Sequence, residues 1–166
     1  PLATLSGAEA QERLDGLLAA YPAQAGAARG LYEIERTGPV ESLVQILSDA
    51  GTVEPARYYA RQHQPAWLYR FSYVATKDRA SALGARHAAE LPYVFDTASW
   101  ATSDEDRQAV EAVHGAWLRF IRSGDPGWPA VTPDNEPIND FTHAGPVVKS
   151  DPLRARLDLV EAAKAR

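Results

Sequence analysis

The chain of 166 residues contains neither cysteine nor methionine. Without cysteine it can form no disulfide bond, offers no thiol nucleophile and has no thiolate ligand for a metal. Cysteine usage therefore does not distinguish a reducing from an oxidising compartment. Because methionine is absent, we expect synthesis to have begun upstream of Pro1.

A surplus of basic residues and a long apolar run are also missing. The formal net charge is -5, which argues against a nucleic-acid partner because such a partner requires clustered Lys and Arg. No apolar run approaches the length of a membrane span, and no signal-peptide pattern opens the chain. The content of 45% hydrophobic and 23% charged residues is typical of a soluble globular protein, either cytoplasmic or exported.

Amphipathic helices dominate the predicted secondary structure. Ser6 and Glu9 form a capping-box pattern at the start of the first helix, and Pro22 ends that helix. The small-residue stretch that follows, AQAGAARG, predicts an irregular connection. Four further helices are predicted after Pro39, at Pro55, after Ser103 and after Asp151. Gly51 is predicted to interrupt the second helical stretch, and Gly124 to cap the long helix near the middle of the chain.

Only one strand is clearly encoded. Aromatic residues alternate with other types through the stretch WLYRFSYV, which is the period of a strand, and PIND and PVVKS predict two weaker strands. Because so little sheet cannot cover several amphipathic helices, the chain is predicted to be part of a larger α/β domain and not a complete domain by itself. We divide it into a helical region 1–65, a region 66–151 with the strands, the loop around His87 and the long helix, and a terminal helix 152–166.

His87 has the most distinctive surroundings of the histidines, in the stretch LGARHAAELPYVF. Gly84 lets the backbone turn before it, and a short helix is predicted immediately after it, whose positive end would keep the imidazole neutral. Taken alone, a histidine among alanines is more often a packed or solvated side chain than a catalyst. That interpretation is kept for His114, as a core or boundary residue, and for His63 and His143, as solvent-facing residues. No spacing of these histidines matches a metal-ligand motif, and no cofactor is predicted.

Four stretches stand in a specific order and spacing: PARYYARQHQPAWLYRFSY, LGARHAAELPYVF, AWLRFIRSGDPGWPAV and SDP. With them the chain resembles, from about Tyr21 to Asp151, the C-terminal part of the type B carboxylesterases, the family of bacterial nitrobenzyl esterases and cholinesterases. The resemblance implies the C-terminal portion of an α/β-hydrolase fold, with mostly helices and a few strands of the central sheet. The chain departs from the family pattern at Ala88, where glycine is common, and at Thr52, where the Asp-x-x-Phe pattern beginning at Asp49 has phenylalanine.

In that family the histidine of a Gly-x-x-His-x-x-Glu-Leu stretch is the base of a catalytic triad. The stretch runs from Gly84 to Leu91 here, so the resemblance assigns the base to His87 and leaves Glu90 as a supporting residue at best or a salt-bridge partner. In α/β-hydrolases the serine and the acid precede the histidine along the chain. No Gly-x-Ser-x-Gly occurs here, so the serine, the acid and the oxyanion loop are expected in an N-terminal portion of the same protein. By the spacing that the resemblance implies, the acid is expected about ten residues before Pro1.

Three functional interpretations remain open. The preferred one is a serine carboxylesterase that hydrolyses a small-molecule ester and is active only when this chain is assembled with its N-terminal portion. The alternative is a cholinesterase-like adhesion or scaffold protein that has lost members of the triad. The third is an independent helical binding module, which the apolar helix faces argue against because no sheet in the chain is large enough to cover them.

Overall fold

Helices occupy most of the residues that the structure describes, and three strands among these residues form one small sheet. The computed structural model describes residues 5–82, 84–132 and 134–164, so that Pro1 and Leu83 lie outside the described residues. The elements in chain order are α1 (Gly7–Ala20), α2 (Pro22–Leu31), α3 (Ile34–Thr37), α4 (Pro39–Ser48), a π-helical segment (Asp49–Val53), α5 (Glu54–Gln62), β1 (Leu68–Phe71), α6 (Leu91–Val94), α7 (Asp104–Ser123), β2 (Pro137–Thr142), β3 (Gly145–Ser150) and α8 (Arg154–Lys164).

The start of α1 confirms the predicted capping box. The Glu9 N–H donates to Ser6 Oγ at 3.3 Å, and the Ser6 N–H donates to the Glu9 carboxylate at 2.9 Å. Each side chain thus satisfies a backbone donor that the first turn of a helix leaves free. Leu14 and Leu18, four positions apart and therefore on one face of this helix, are buried.

Helix α2 shows that the prediction of an irregular connection after Pro22 is wrong. Residues Pro22–Leu31 are helical, with the proline in the first turn. Proline suits that position because its missing N–H would have no intrahelical acceptor there. Alanine is the strongest helix former and outweighs the interspersed glycines. Packing adds to this preference, since Ala28 joins Leu14 and Leu18 in one buried cluster.

The prediction that Gly51 interrupts the second helical stretch is also wrong. Gly51 lies in the π-helical segment Asp49–Val53, which joins α4 to α5 without a break. The Glu54 N–H donates to the Asp49 carbonyl, which is the longer i→i+5 bond of a π turn. Because such a turn keeps the backbone helical, the glycine is accommodated inside it and does not end the helix.

The chain divides into two compact units, and the first comprises Pro1–Tyr59 and Pro152–Arg166. Its apolar core is a cluster of Leu14, Leu18, Ala28, Tyr32 and Ile34. The buried Asp49 accepts a hydrogen bond from the Tyr32 hydroxyl at 2.9 Å and from Arg156 Nε at 2.8 Å. These bonds attach the C-terminal helix α8 to the π-helical segment.

The second unit, Ala60–Asp151, contains the sheet. Strand β1 pairs in parallel with β2, with Leu68 opposite Ile138, and β2 pairs antiparallel with β3. All three strands lie where the alternating pattern and the stretches PIND and PVVKS predict them. The apolar core of this unit draws on β2, α6, α7 and the residue Tyr73 just beyond β1, and consists of Tyr73, Tyr93, Val110, Val113, Ala116 and Phe141.

Helix α7 confirms both of its predicted ends. At the start, Ser103 Oγ accepts a hydrogen bond from the Asp106 N–H at 3.0 Å. At the end, Gly124 adopts a φ of 74° and donates its N–H to the Phe120 carbonyl at 2.7 Å. Glycine suits this cap because a side chain is disfavoured at positive φ.

Candidate active site

Strand β1 leads into the segment that carries His87. Pairing with β2 extends past the end of β1, where the Ser72 N–H donates to the Phe141 carbonyl at 3.0 Å. The chain that follows, residues 75–90, is called the histidine loop. Because Tyr73 just before the loop is buried, the loop leaves the sheet from a fixed point.

A buried carboxylate holds the start of the histidine loop. Asp106, which is 2% exposed, accepts hydrogen bonds at Oδ1 from the Tyr73 hydroxyl at 2.7 Å and from the Thr76 N–H at 3.0 Å. Its Oδ2 accepts from Ser103 Oγ at 2.7 Å and from the Thr76 hydroxyl. Burial by itself would raise the pKa of Asp106, but the hydrogen bonds from Thr76, Ser103 and Tyr73 outweigh it and lower the pKa to about 2. The carboxylate is therefore ionised at neutral pH.

The chain after the histidine loop is anchored by Tyr93. This residue is 2% exposed, and its ring centroid lies 4.9 Å from that of Phe71, 5.8 Å from that of Tyr73 and 5.6 Å from that of Trp100. The rings meet in tilted or edge-to-face orientations, which aromatic pairs favour. Burial, and then the charge of Asp106, raises the pKa of Tyr93, so its phenol stays neutral.

His114 fixes the short helix α6 to α7. The side chain is half-buried, and its Nδ1 lies 2.8 Å from the Val94 carbonyl at the end of α6. This is the boundary role predicted for it. The other two histidines outside the loop, His63 and His143, are exposed as predicted.

His87 itself occupies the second position of a tight turn. The Ala89 N–H donates to the Arg86 carbonyl at 3.1 Å, which makes His87 and Ala88 the two central residues. Ala88 has a φ of 62°, and a positive φ at the third position alone is the signature of a type II turn. The imidazole is exposed.

The helix predicted immediately after His87 begins later than expected. Helix α6 starts at Leu91 and consists of one turn, because the positive φ of Ala88 is incompatible with a helical backbone at that residue. The helix N-terminus that was predicted to keep the imidazole neutral therefore lies at Leu91 and not directly after His87.

Glu90 directly follows this turn but is not hydrogen-bonded to the imidazole. Within residues 5–82, 84–132 and 134–164, the side chains of His87 and Glu90 form no hydrogen bond with each other or with another residue. Glu90 is half-buried and near Tyr69, whose pKa is raised by burial first and by the Glu90 charge second. The supporting role of Glu90 stays a prediction.

The histidine loop covers a cavity of about 200 Å3 in the second unit. Gly84, Arg86 and Ala89 line this cavity together with the buried aromatic residues Tyr73 and Tyr93. His87 is not part of the lining. Residues on both sides of His87 thus border the cavity, while the imidazole itself is exposed to solvent.

Sequence reasoning missed Asp106 as a residue of this site. The sequence predicts only that a helix begins after Ser103, and the Asp106 N–H does donate to Ser103 Oγ. The additional hydrogen bonds of Asp106 involve Tyr73 and Thr76, which lie 33 and 30 residues away along the chain. The one signal for them in the sequence is a tyrosine two residues after the end of β1, followed three residues later by threonine.

The described part of the chain holds neither a metal-binding cluster nor a membrane-spanning helix. No group of three or more His, Asp or Glu side chains is arranged there to hold a metal ion. In the same residues, no helix combines the length and the apolar character needed to cross a lipid bilayer.

Residues 28–158 match the sequence model of the carboxylesterase family. The chain belongs to this family. It is 31% identical over 102 residues to the para-nitrobenzyl esterase of Bacillus subtilis (strain 168), an alignment that covers 55% of this chain and 20% of the esterase. The recognition of the nitrobenzyl-esterase-like family from sequence is confirmed.

Solved carboxylesterases have the same fold. A carboxylesterase of Geobacillus stearothermophilus superimposes with a TM-score of 0.70 and 26% identity, over 98% of this chain and 36% of that one. A PNB esterase superimposes with a TM-score of 0.68 and 24% identity, over 90% of this chain and 33% of that one. The fold is therefore α/β and belongs to the α/β-hydrolases, as expected, and the chain spans about a third of the length of these structures.

Proposed function

We propose that this chain supplies the histidine base of a serine carboxylesterase and that His87 is that base. The proposal depends on one observation: in a chain of the carboxylesterase family, the exposed imidazole lies on a turn between two buried tyrosines. These are Tyr73, bound to Asp106 before the turn, and Tyr93, packed on Tyr73 after it. The family motif around His87 supports the same assignment.

In this proposal the nucleophilic serine, the acid and the oxyanion hole come from an N-terminal portion of the same protein. The His87 imidazole takes the proton of the serine hydroxyl while the serine oxygen attacks the ester carbonyl. It then gives that proton to the departing alkoxide, which leaves an acyl-enzyme. The same imidazole then takes a proton from a water molecule, whose oxygen attacks the acyl carbonyl, and returns that proton to the serine oxygen as the bond to the acid breaks. The exposed position of His87 supports this role, because the imidazole is open to a second segment of polypeptide.

The substrate class is a small-molecule carboxylic ester. The relative from Bacillus subtilis is named for para-nitrobenzyl esters, so such an ester and a para-nitrophenyl ester are the first substrates to assay. The proposed steps require no metal or cofactor, because the imidazole both accepts and donates the proton.

Substitution of His87 tests the proposal directly. In the assembled esterase, H87A should lower kcat by a factor on the order of 10^4 or more, because the serine then has no base. The matched control is H63A, which removes another exposed histidine of the same unit and should leave kcat within about twofold. Both variants should keep the wild-type melting temperature. An H87A enzyme with normal turnover would refute the assignment.

A fluorophosphonate probe separates the esterase from the scaffold alternative. The probe bonds covalently to a serine that an adjacent base has activated. The wild-type protein should be labelled, and H87A should be labelled far more slowly. Absence of labelling in the wild-type protein would favour a non-catalytic adhesion or scaffold protein.

A further inference from the structure

We infer that Asp106 is a positioning residue for His87, acting through the base of the histidine loop; this rests on the proposed catalytic role of His87. The first turn of α7 presents the neighbouring carboxylates Glu105 and Asp106 to the loop. Both bind the part of the loop that precedes His87, which we call the incoming arm. Asp106 also binds Tyr73, which links this arm to the chain that follows His87, called the outgoing arm.

The incoming arm is fixed at main chain and side chain together. Thr76 gives Asp106 both its N–H, at 3.0 Å, and its hydroxyl. A residue held at both groups has little freedom to rotate, so the direction in which the loop leaves the sheet is set at Thr76. Arg79, further along the loop, binds the exposed Glu105 through two nitrogens and donates from Nε to the Val74 carbonyl at 3.1 Å.

The outgoing arm is coupled to the same carboxylate through Tyr73. The Tyr73 hydroxyl donates to Asp106 at 2.7 Å, and the ring of Tyr73 packs on that of Tyr93 with centroids 5.8 Å apart. Tyr93 follows the turn that carries His87. A shift of Tyr73 would therefore move both ends of the loop, and the imidazole lies between them.

Asp106 uses its full capacity as a hydrogen-bond acceptor. An ionised carboxylate offers about four lone-pair positions, and here each oxygen accepts two hydrogen bonds. Asparagine has nearly the same shape but replaces one oxygen by an NH2 donor, which cannot accept from the hydroxyls of Thr76 and Ser103. D106N should thus loosen the loop without creating a large cavity.

The test compares three carboxylate-to-amide variants in the assembled esterase. D106N should lower kcat roughly 10- to 100-fold with KM within about twofold, because a displacement of the base by a fraction of an ångström slows the proton transfer more than ester binding. E105Q should lower kcat by no more than about threefold, because its pair with Arg79 is open to solvent. D49N removes an equally buried carboxylate of the first unit and should lower the melting temperature as D106N does, with kcat unchanged.

Rates are expressed per active site, counted by fluorophosphonate labelling driven to completion, so that unfolded protein does not contribute. The inference is overturned if D106N and D49N lose stability equally while D106N keeps its turnover, or if kcat and KM change together. If H87A is inactive and D106N is fully active, only this inference fails. If H87A remains active, the proposed function fails and the positioning role of Asp106 fails with it.

Discussion

In the turn that carries His87, Ala88 adopts a backbone conformation that alanine disfavours. Its φ of 62° lies in the left-handed region, where the Cβ of any residue other than glycine comes too close to the backbone. The cost is about 1–2 kcal/mol. The family to which the chain is similar commonly has glycine at this place, and the turn geometry supplies the reason for that preference.

Replacing Ala88 by glycine should therefore stabilise the protein. The relief of strain is partly offset by the greater freedom of glycine in the unfolded chain, so we expect a net gain of about 0.5–1 kcal/mol and a correspondingly higher melting temperature. Thermal unfolding of A88G against the wild type, both as the assembled esterase, measures this. The neighbouring A89G is the control, because Ala89 has no positive φ and glycine there should destabilise. Equal losses in both variants would show that the turn is not strained at Ala88.

At the scale of elements, helix ends were predictable wherever one local pattern decides them. The Ser6–Glu9 box and the Ser103 cap are present as predicted because capping involves residues three positions apart. AQAGAARG was misinterpreted because small residues are common both in loops and in packed helices. Its helix is decided by Pro22 in the first turn and by burial of Ala28, and burial cannot be seen from a short stretch.

In the candidate site, too, features set by a local pattern could be predicted and features set by distant residues could not. His87 is a candidate from the sequence alone because its motif is contiguous, and its catalytic role stays a prediction. The strand before it could be predicted because its alternation is local. The hydrogen bonds of Asp106 could not be predicted, because its partners lie about 30 residues away and are brought to it by the fold. The turn at Ala88 was hidden for another reason, since alanine gives no indication of a left-handed backbone.

The attachment of α7 to the histidine loop should weaken in acid. The folded-state pKa of Asp106 is about 2, below its ordinary value of 3.8, so the network stabilises the fold fully above about pH 4. That contribution is lost as the pH falls from about 4 to about 2, because protonation removes acceptor positions from a buried group. Urea unfolding between pH 2 and pH 6 should show a steeper loss for the wild type than for D106N, which has no proton to gain at this position. Parallel curves would mean that Asp106 does not titrate as its hydrogen bonds require.

At the scale of the whole molecule, the exposed apolar surface bears on whether the chain functions alone. Ile121 is 72% exposed and Phe95 is 67% exposed. An open cavity of about 300 Å3 in the second unit is lined mostly by aromatic residues, among them Trp67, Trp117 and Trp128. Single exposed apolar side chains are ordinary, but an aromatic-lined opening is the kind of surface that binds another segment of polypeptide.

We therefore predict that residues 1–166 produced alone bind the dye ANS strongly and unfold without a sharp transition. In the proposed assembly, production together with the N-terminal portion should suppress the dye fluorescence and give cooperative unfolding, because the aromatic opening is then removed from water. Dye binding and thermal unfolding are measured on both samples at equal concentration. I121K serves as the control for a single exposed side chain and should reduce dye binding only slightly, since the aromatic opening persists. Weak dye binding and a sharp transition for the chain alone would instead support an independent helical module, in which the aromatic opening needs no covering segment.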